Sequence, residues 1–434
     1  MKWVVASSLL LVLHAPAPVA AQTPVRLTLQ EAIARGLEAS HRLAEIGARQ
    51  EAAEAVSDQR KAASMPQVAL LAGYMRTNHV DEFGIPGARV IYPDIPDNVR
   101  SRVDLQWPIY TGGRVSALTR AAAAEASAIA QDREAARADL RLEIARAYWA
   151  VITARASADV VNQALGRIGA HLNDVRNQLN VGLVPPSDVL SLEAQQARQQ
   201  QILIEAENLT DIASFDFRRL VGLAPDAPFE LADRIDTPTA ASPEIDAMVE
   251  AARANRAERK ALEIRIEGLG ERLTAAEAGR APLVSTAGGF DMARPNPKIF
   301  PRQDAWKPSW DLGVNVSWSL FDGGRARAEV AEAAANRKAA EERLKDFDVT
   351  VATDVRQRAS DLASARAAIA AADIGVRSAT EARRVIAERF SSGVATNTDV
   401  LDAQVALLQA ELDRTRALAN LRLAEARLNR AMGR

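Results

Sequence analysis

The sequence predicts a mainly α-helical protein with a small β part: long helical hairpins present in duplicate, and four strands of membrane-crossing length. Three observations carry this reading. They are an internal repeat, two long runs that hold an apolar seven-residue seam, and alternating segments that end in Gly-Gly-Arg. Of the 434 residues 48% are hydrophobic but only 4% aromatic, and much of the apolar content is alanine. That balance suits close-packed helices better than one large globular core. The formal net charge of −2 lacks the basic domain that nucleic-acid binding calls for.

The stretch LQWPIYTGGR at 105–114 returns as VSWSLFDGGR at 316–325, a shift of 211. The same shift aligns Gly182 with Gly393 and Ser187-Asp188-Val189-Leu190 with Thr398-Asp399-Val400-Leu401. Nothing is inserted between these landmarks, as a helix of fixed length requires. Upstream the shift is 216, pairing Pro66 with Pro282, Gly73 with Gly289, Tyr74 with Phe290, and Arg42-Leu43 with Glu258-Arg259. The extra residues lie between about 75 and 100, in RTNHVDEFGIPGARVIYPDIPDN, which reads as an exposed loop. The partner segment from Arg294 to Pro308 is also proline-rich. The repeats are expected to span 22–221 and 244–434, joined by a linker at 222–243 that holds Pro225, Pro228, Pro238 and Pro243.

Between Arg114 and Val181 there is no proline, and 68 helical residues would extend about 100 Å. Inside this run Leu140, Ile144, Ala147, Val151, Ala154, Ala158, Val161, Leu165, Ile168, Leu172, Val175 and Leu179 recur at alternate spacings of four and three. A strict seven-residue repeat of this length predicts a left-handed coiled coil. The equivalent positions from Val351 to Phe390 keep ten of twelve, with Arg358 and Arg383 as exceptions. Helices are predicted over 29–64, 114–181 and 187–220, and again over 245–279, 325–392 and 398–432. The short ones laid end to end match one long one.

Val103, Leu105, Trp107 and Ile109 alternate with Arg102, Asp104 and Gln106. Leu312, Val314, Val316, Trp318 and Leu320 alternate with Asp311, Asn315, Ser317 and Ser319. Each run has about ten residues, the length a tilted strand needs to cross a bilayer. Residues 67–76 and 283–292 supply the partner strands, giving β-hairpins over 67–110 and 283–321. A soluble sandwich would alternate in the same way; the N-terminus and the tryptophans near the strand ends favour a membrane barrel. Lys2, the apolar Val4–Leu13 and the small residues Val19-Ala20-Ala21 read as an export signal over 1–21, and Pro16 and Pro18 cut the run too short for a membrane anchor. Cysteine is absent, which excludes disulfides and thiolate metal sites. Four strands cannot seal a barrel, since open edges in lipid cost several kcal/mol per unpaired group. Identical copies must complete it; eight strands or twelve remain open at this point.

LTLQEAIARGLEAS, PIYTGGR, SLFDGGR, NVGLVPPSDVLSLEAQ, SSGVATNTDVLDAQVAL and the closing RLAEARLNRAMG together resemble the TolC-type outer-membrane efflux protein family over nearly the whole chain. The resemblance implies a homotrimer in the outer membrane of a Gram-negative-type bacterium. Twelve strands would form one transmembrane barrel, and twelve helices an α-barrel tunnel through the periplasm. It implies a passive exit duct of a tripartite efflux or type I secretion system, with a periplasmic adaptor and an inner-membrane pump as partners and no cofactor. On this reading Gly112-Gly113-Arg114 and Gly323-Gly324-Arg325 are barrel-to-helix junctions. They lack the G-x-G-x-x-G spacing of a dinucleotide loop. The turns Gly182-Leu183-Val184 and Gly393-Val394-Ala395 are the implied adaptor contacts. Asp188, Asp399 and Asp402 are candidates for an acidic ring at the tunnel's periplasmic constriction, which would favour cations. Ser187 or Asp188, and Thr398 or Asp399, are the expected N-caps of the returning helices.

One departure concerns the tip. Well-studied members of that family hold it shut with polar contacts from a tyrosine and an arginine, whose positions here look like Phe390 and Ala395, and Pro185-Pro186 is expected to stiffen the first turn instead. His41, His79 and His171 lie far apart, and no nucleophile motif, metal spacing or phosphate loop is present, so no enzyme is expected. The competing class is a soluble periplasmic coiled-coil scaffold without a pore.

Overall fold

A computed structural model describes residues 24–87, 89–236 and 244–434. The export signal, Pro238 and Pro243 lie outside the described residues. In chain order the elements are β1 (Val25–Leu27), α1 (Leu29–Ala39), α2 (His41–Ala62), β2 (Gln67–Arg76), β3 (Phe83–Ile85), β4 (Arg89–Tyr92), β5 (Asp97–Tyr110), α3 (Arg114–Asn180) and α4 (Pro186–Leu220). There follow β6 (Phe229–Leu231), α5 (Ile245–Asn255), α6 (Ala257–Glu277), β7 (Leu283–Arg294), β8 (Lys307–Ser317), α7 (Arg325–Ser391) and α8 (Asn397–Ala431). The long helices α3 and α7 have 67 residues each, and α4 and α8 have 35 each. No described helix is long and apolar enough to cross a membrane.

Two predicted helices are each broken in two. The run 29–64 is interrupted at Ser40, whose side chain caps α2 by accepting from the Leu43 N–H at 3.3 Å. The run 245–279 is interrupted at Arg256, which is extended at φ −61°, ψ 118° and buried. Its guanidinium donates to the Ala431 carbonyl at 2.8 Å and pairs with Asp354. The two breaks are equivalent at the shift of 216, so the repeat includes them. Neither site carries the Gly or Pro that would announce a break in sequence. A 3₁₀ turn, Ala278–Arg280, follows α6.

The described residues form two compact units that cut across the repeats. One draws on Met1–Ala39, Ile144–Pro238 and Ile374–Ala419; the other on Ser40–Glu143, Thr239–Asp373 and Asn420–Arg434. In the first unit β1 and β6 pair in parallel, so a strand lies inside the segment expected to be a linker. Phe229 of β6 is buried against Phe217, with the guanidiniums of Arg155 and Arg218 over its ring at 5.0 and 4.9 Å. The Tyr148 hydroxyl reaches the Asp233 carboxylate at 2.8 Å, and that carboxylate also accepts from the Leu29 N–H at 2.9 Å. Burial pushes the Tyr148 phenol well above its ordinary range, so it stays a neutral donor.

The seam read from sequence is buried or half-buried at all twelve α3 positions, and Leu172 and Val175 pack with Val189 and Leu192 of α4. In the second unit Val351, Val355 and Leu362 of α7 share a core with Met248 and Val249 of α5 and Leu421 and Leu428 of α8. Each such buried side chain contributes about 1.5–3 kcal/mol.

The second unit also holds an antiparallel sheet in the order β2-β5-β7-β8. Val68 pairs with Leu105, Val103 with Phe290, and Phe290 with Trp310, so one face is mainly apolar and largely exposed, interrupted by Ser101 and Thr286 and bounded at one end by Arg76 and Arg294. Trp310 on that face is 75% exposed. The other face carries Arg100, Arg102, Asp104, Asp291 and Asp311. Three corrections apply here. The sheet bonding of β8 ends at Ser317, so Trp318 and Leu320 lie beyond the strand. Trp318 turns its indole N–H to the Arg280 carbonyl at 3.1 Å, as Trp107 does to Ser64 at 3.2 Å. A bulge between Pro108 and Tyr110 sets Tyr110, not Ile109, opposite Val284. The segment expected to be a loop at 75–100 contains the small β3–β4 hairpin.

Candidate functional site

The strand-to-helix junctions are built alike. After β5, Gly112 and Gly113 take φ values of +63° and +84°; after β8, Gly323 and Gly324 take +67° and +90°. These left-handed conformations favour glycine. Arg114 and Arg325 open the long helices and are exposed. At equivalent positions Thr111 and Asp322 act as caps. Thr111 Oγ1 accepts from the Val115 N–H at 3.4 Å, and the Asp322 carboxylate accepts from the N–H groups of Gly324 and Ala326 at 2.9 and 2.8 Å. The surroundings differ: a Cβ on Gly112 would lie 2.5 Å from Ala281 Cβ and 3.0 Å from the Ala278 carbonyl, whereas nothing lies within 4 Å of one on Gly323.

The hairpin turns also share one construction. Gly182 (φ +78°) donates to the Leu179 carbonyl while Leu183 donates to Gln178, each at 2.9 Å. Gly393 (φ +73°) and Val394 repeat this with Phe390 and Arg389 at 3.0 and 2.8 Å. Both are Schellman endings that satisfy the last carbonyls of a helix. They leave Leu183 74% and Val394 65% exposed, with Val184 and Ala395 half-buried.

The expected N-caps are corrected. Pro185 stands at the cap position of α4 without a side-chain bond, and Pro186 is the first helical residue, where a missing N–H costs nothing. Helix α8 is capped by Thr396: its hydroxyl accepts from the Asp399 N–H at 3.2 Å, and the Asp399 carboxylate accepts from the Thr396 N–H at 2.8 Å. This reciprocal pair is a capping box. Those bonds hold the Asp399 carboxyl below its usual range, so the carboxylate half of the box is intact at neutral pH and weakens only as the pH falls through that lowered value. Asp402 is exposed one turn further along α8, and Asp188 is half-buried in the first turn of α4.

Sequence reasoning missed what joins the two tips. His171 Nε2 lies 2.9 Å from Asn397 Oδ1, and the Asn397 amide donates to Ser191 Oγ at 3.2 Å and to the Asp188 carbonyl at 3.4 Å. His171 and Asn397 are both buried, and the Phe390 ring meets His171 edge-on at 5.1 Å. Four residues earlier on α3, Arg167 pairs with Glu411 of α8 at 2.7 Å. Thus α3 shows an apolar seam to α4 and, one residue out of step with it, a polar stripe to α8. Phe390 itself packs with Leu179, Val184 and Leu401 on the Leu172 cluster. The available signal was an Asn at a helix start opposite a lone His in a seam-bearing helix.

The model for outer membrane efflux proteins matches residues 32–223 and 248–434. The chain belongs to the outer membrane efflux protein family. As a family member it is an efflux channel of the outer membrane that extends into the periplasm, which sets aside the soluble-scaffold alternative. The family consists of channel proteins. Among relatives, outer membrane protein TolC of Vibrio cholerae is 24% identical over 93% of this chain and 90% of its own. Protein CyaE of Bordetella pertussis is 27% identical over 94% of this chain and 85% of its own. The crystal structure of outer membrane protein VceC from Vibrio cholerae superposes with a TM-score of 0.77 at 21% identity, covering 93% of this chain and 96% of that one. The mainly helical fold with its few strands is therefore that of the TolC-type channels.

Proposed function

We propose that three copies of this chain form the passive exit duct of a tripartite efflux or type I secretion system. In it an inner-membrane pump and a periplasmic adaptor would deliver small molecules or proteins. The observation that carries this is the open four-stranded sheet, mainly apolar on one face and charged on the other, whose outer strands β2 and β8 have no further partner among the described residues. Lipid cannot satisfy those edges, and three sheets give the twelve strands of a closed barrel. The repeats at 22–221 and 244–434 would then be its six quasi-equivalent segments. Exposed Leu183 and Val394, on rigid Schellman turns with Val184 and Ala395, offer the apolar contacts an adaptor would use. The His171–Asn397–Ser191 network takes the place of the tyrosine and arginine lock as the device joining the hairpins.

Purified in mild detergent, the protein should have the mass of three chains and conduct in planar bilayers; a stable single copy without conductance overturns the reading. In those bilayers Asp402→Ala should weaken cation preference if Asp188, Asp399 and Asp402 line the constriction. Asp402 is the cleaner probe, because Asp399→Ala also removes the carboxylate half of the α8 capping box. Unchanged selectivity counts against the acidic ring. Asn397→Ala removes every bond of the tip network and should raise conductance severalfold. Conductance equal to the parent's would show that the network does not restrain the tip.

A further inference from the structure

The loop between β7 and β8 does not extend away from the strands. It folds back over the charged face of the sheet. Asn296 is 2% exposed; its amide donates to the Lys307 carbonyl at 2.8 Å and to Ser309 Oγ at 2.9 Å, and its Oδ1 accepts from the Lys298 N–H at 2.9 Å. Lys298 Nζ reaches the Asp291 carboxylate at 2.9 Å and pairs with Asp311 as well. Ala293 and Asp291, whose side chains point to this face, are each 1% exposed. Further along, Arg302 donates to the Tyr92 hydroxyl at 2.7 Å and to Asn98 Oδ1 at 3.2 Å, and its guanidinium lies over the Tyr92 ring at 4.9 Å. The loop is thus tied to β5, β7, β8 and β4 by charged and amide groups, with Phe300 left 75% exposed.

The charged face cannot be the one turned to lipid, because the opposite face is mainly apolar from β2 to β8. In a closed barrel it faces the lumen. The loop also lies at the strand ends opposite to those that run into α3 and α7, hence at the extracellular side. We propose that residues 295–306 form a strap across the lumenal face and that, anchored by Lys298 and Asn296, it sets the width of the outer mouth and so the size of cargo that leaves. This rests on the channel reading. It adds a specificity element distinct from the hairpin tips.

The chain has no cysteine, so one introduced thiol reports alone. Asn315→Cys puts it on the charged face of β8, on the helix side of the strap. Intact cells are labelled from outside with a small maleimide and with a bulky polymer-linked maleimide. With the strap anchored, the bulky reagent should react about tenfold more slowly than the small one, as a lid restricts access. Adding Asn296→Ala and Lys298→Ala should bring the two rates together, and Lys298→Arg with Asn296 kept should restore the difference. Equal rates in the anchored protein overturn the strap, whether or not the released variant reaches the membrane. An undiminished difference in the released variant overturns it too. If even the small reagent fails to label Asn315→Cys, the charged face is not lumenal and the channel reading itself is at fault.

Discussion

Asp291→Ala is expected to destabilise the sheet by about 1–3 kcal/mol, the cost of leaving buried donors without their acceptor. Asp291 is 1% exposed and meets three cations: Arg100 at 2.7 Å, Lys298 at 2.9 Å, and Arg102. Arg102 is half-buried, its guanidinium packed over Gly289 on the way to Asp311. A Cβ at Gly289 would stand 2.5 Å from it. Removing the carboxylate leaves Arg102 and Lys298 on Asp311 but takes from Arg100 its acceptor in the sheet. Asp291→Asn keeps an acceptor but not the charge, and should cost less. The measurement is the thermal dissociation of the purified assembly in detergent, read by electrophoresis and circular dichroism. A melting point within a degree or so of the parent's would show that the cluster is solvated and its members independent.

The second large effect separates two glycines that look identical in sequence. Gly112→Val should impair folding of the chain itself, whereas Gly323→Val should leave the chain folded and block its assembly. Both residues hold left-handed φ values, so either substitution costs roughly 1–2 kcal/mol in backbone strain. At Gly112 the new side chain also drives into Ala281 and the Ala278 carbonyl, adding about 1–3 kcal/mol of overpacking. At Gly323 the single chain has open space. The repeat says what fills it. Gly112 follows β5 and touches the turn before β7; its counterpart follows β8, and the counterpart of that turn, shifted by 216, is Ala62 to Met65 before β2. If β8 of one copy pairs with β2 of the next, Gly323 meets that turn of the neighbour. Helical content should therefore survive in Gly323→Val while the trimer fraction in detergent collapses. A Gly323→Val protein that assembles as well as the parent would sink the quasi-equivalent closure.

Much of this was legible in the sequence, for reasons that differ from element to element. The ends of α3, α4, α7 and α8 fall within a residue or two of expectation, because long alanine-rich runs are bounded by Gly-Gly and by Gly at the turns. Strand β2 runs over the expected 67–76. The breaks at Ser40 and Arg256 were invisible: one is a short-range cap, and the other depends on a carbonyl and a carboxylate 175 and 98 residues away. Strands β1 and β6 have three residues each, too few to show a period. Alternation carried the β8 reading past Ser317, since Trp318 keeps the apolar pattern while its indole leaves the ladder for Arg280. Helix caps misled by two residues because Thr396 and Thr398 are equally good caps; only the reciprocal bond with Asp399 selects the first. The His171–Asn397 network and the strap needed three dimensions, as each joins segments that carry no motif of their own.

Each compact unit is stitched from three separate lengths of chain, and the last of these reach to Ala419 in one and Arg434 in the other. A growing polypeptide therefore lacks a piece of the first unit until it passes Ile374 and a piece of the second until it passes Asn420. A chain whose units close this late is expected to stay unfolded while most of it is still being made.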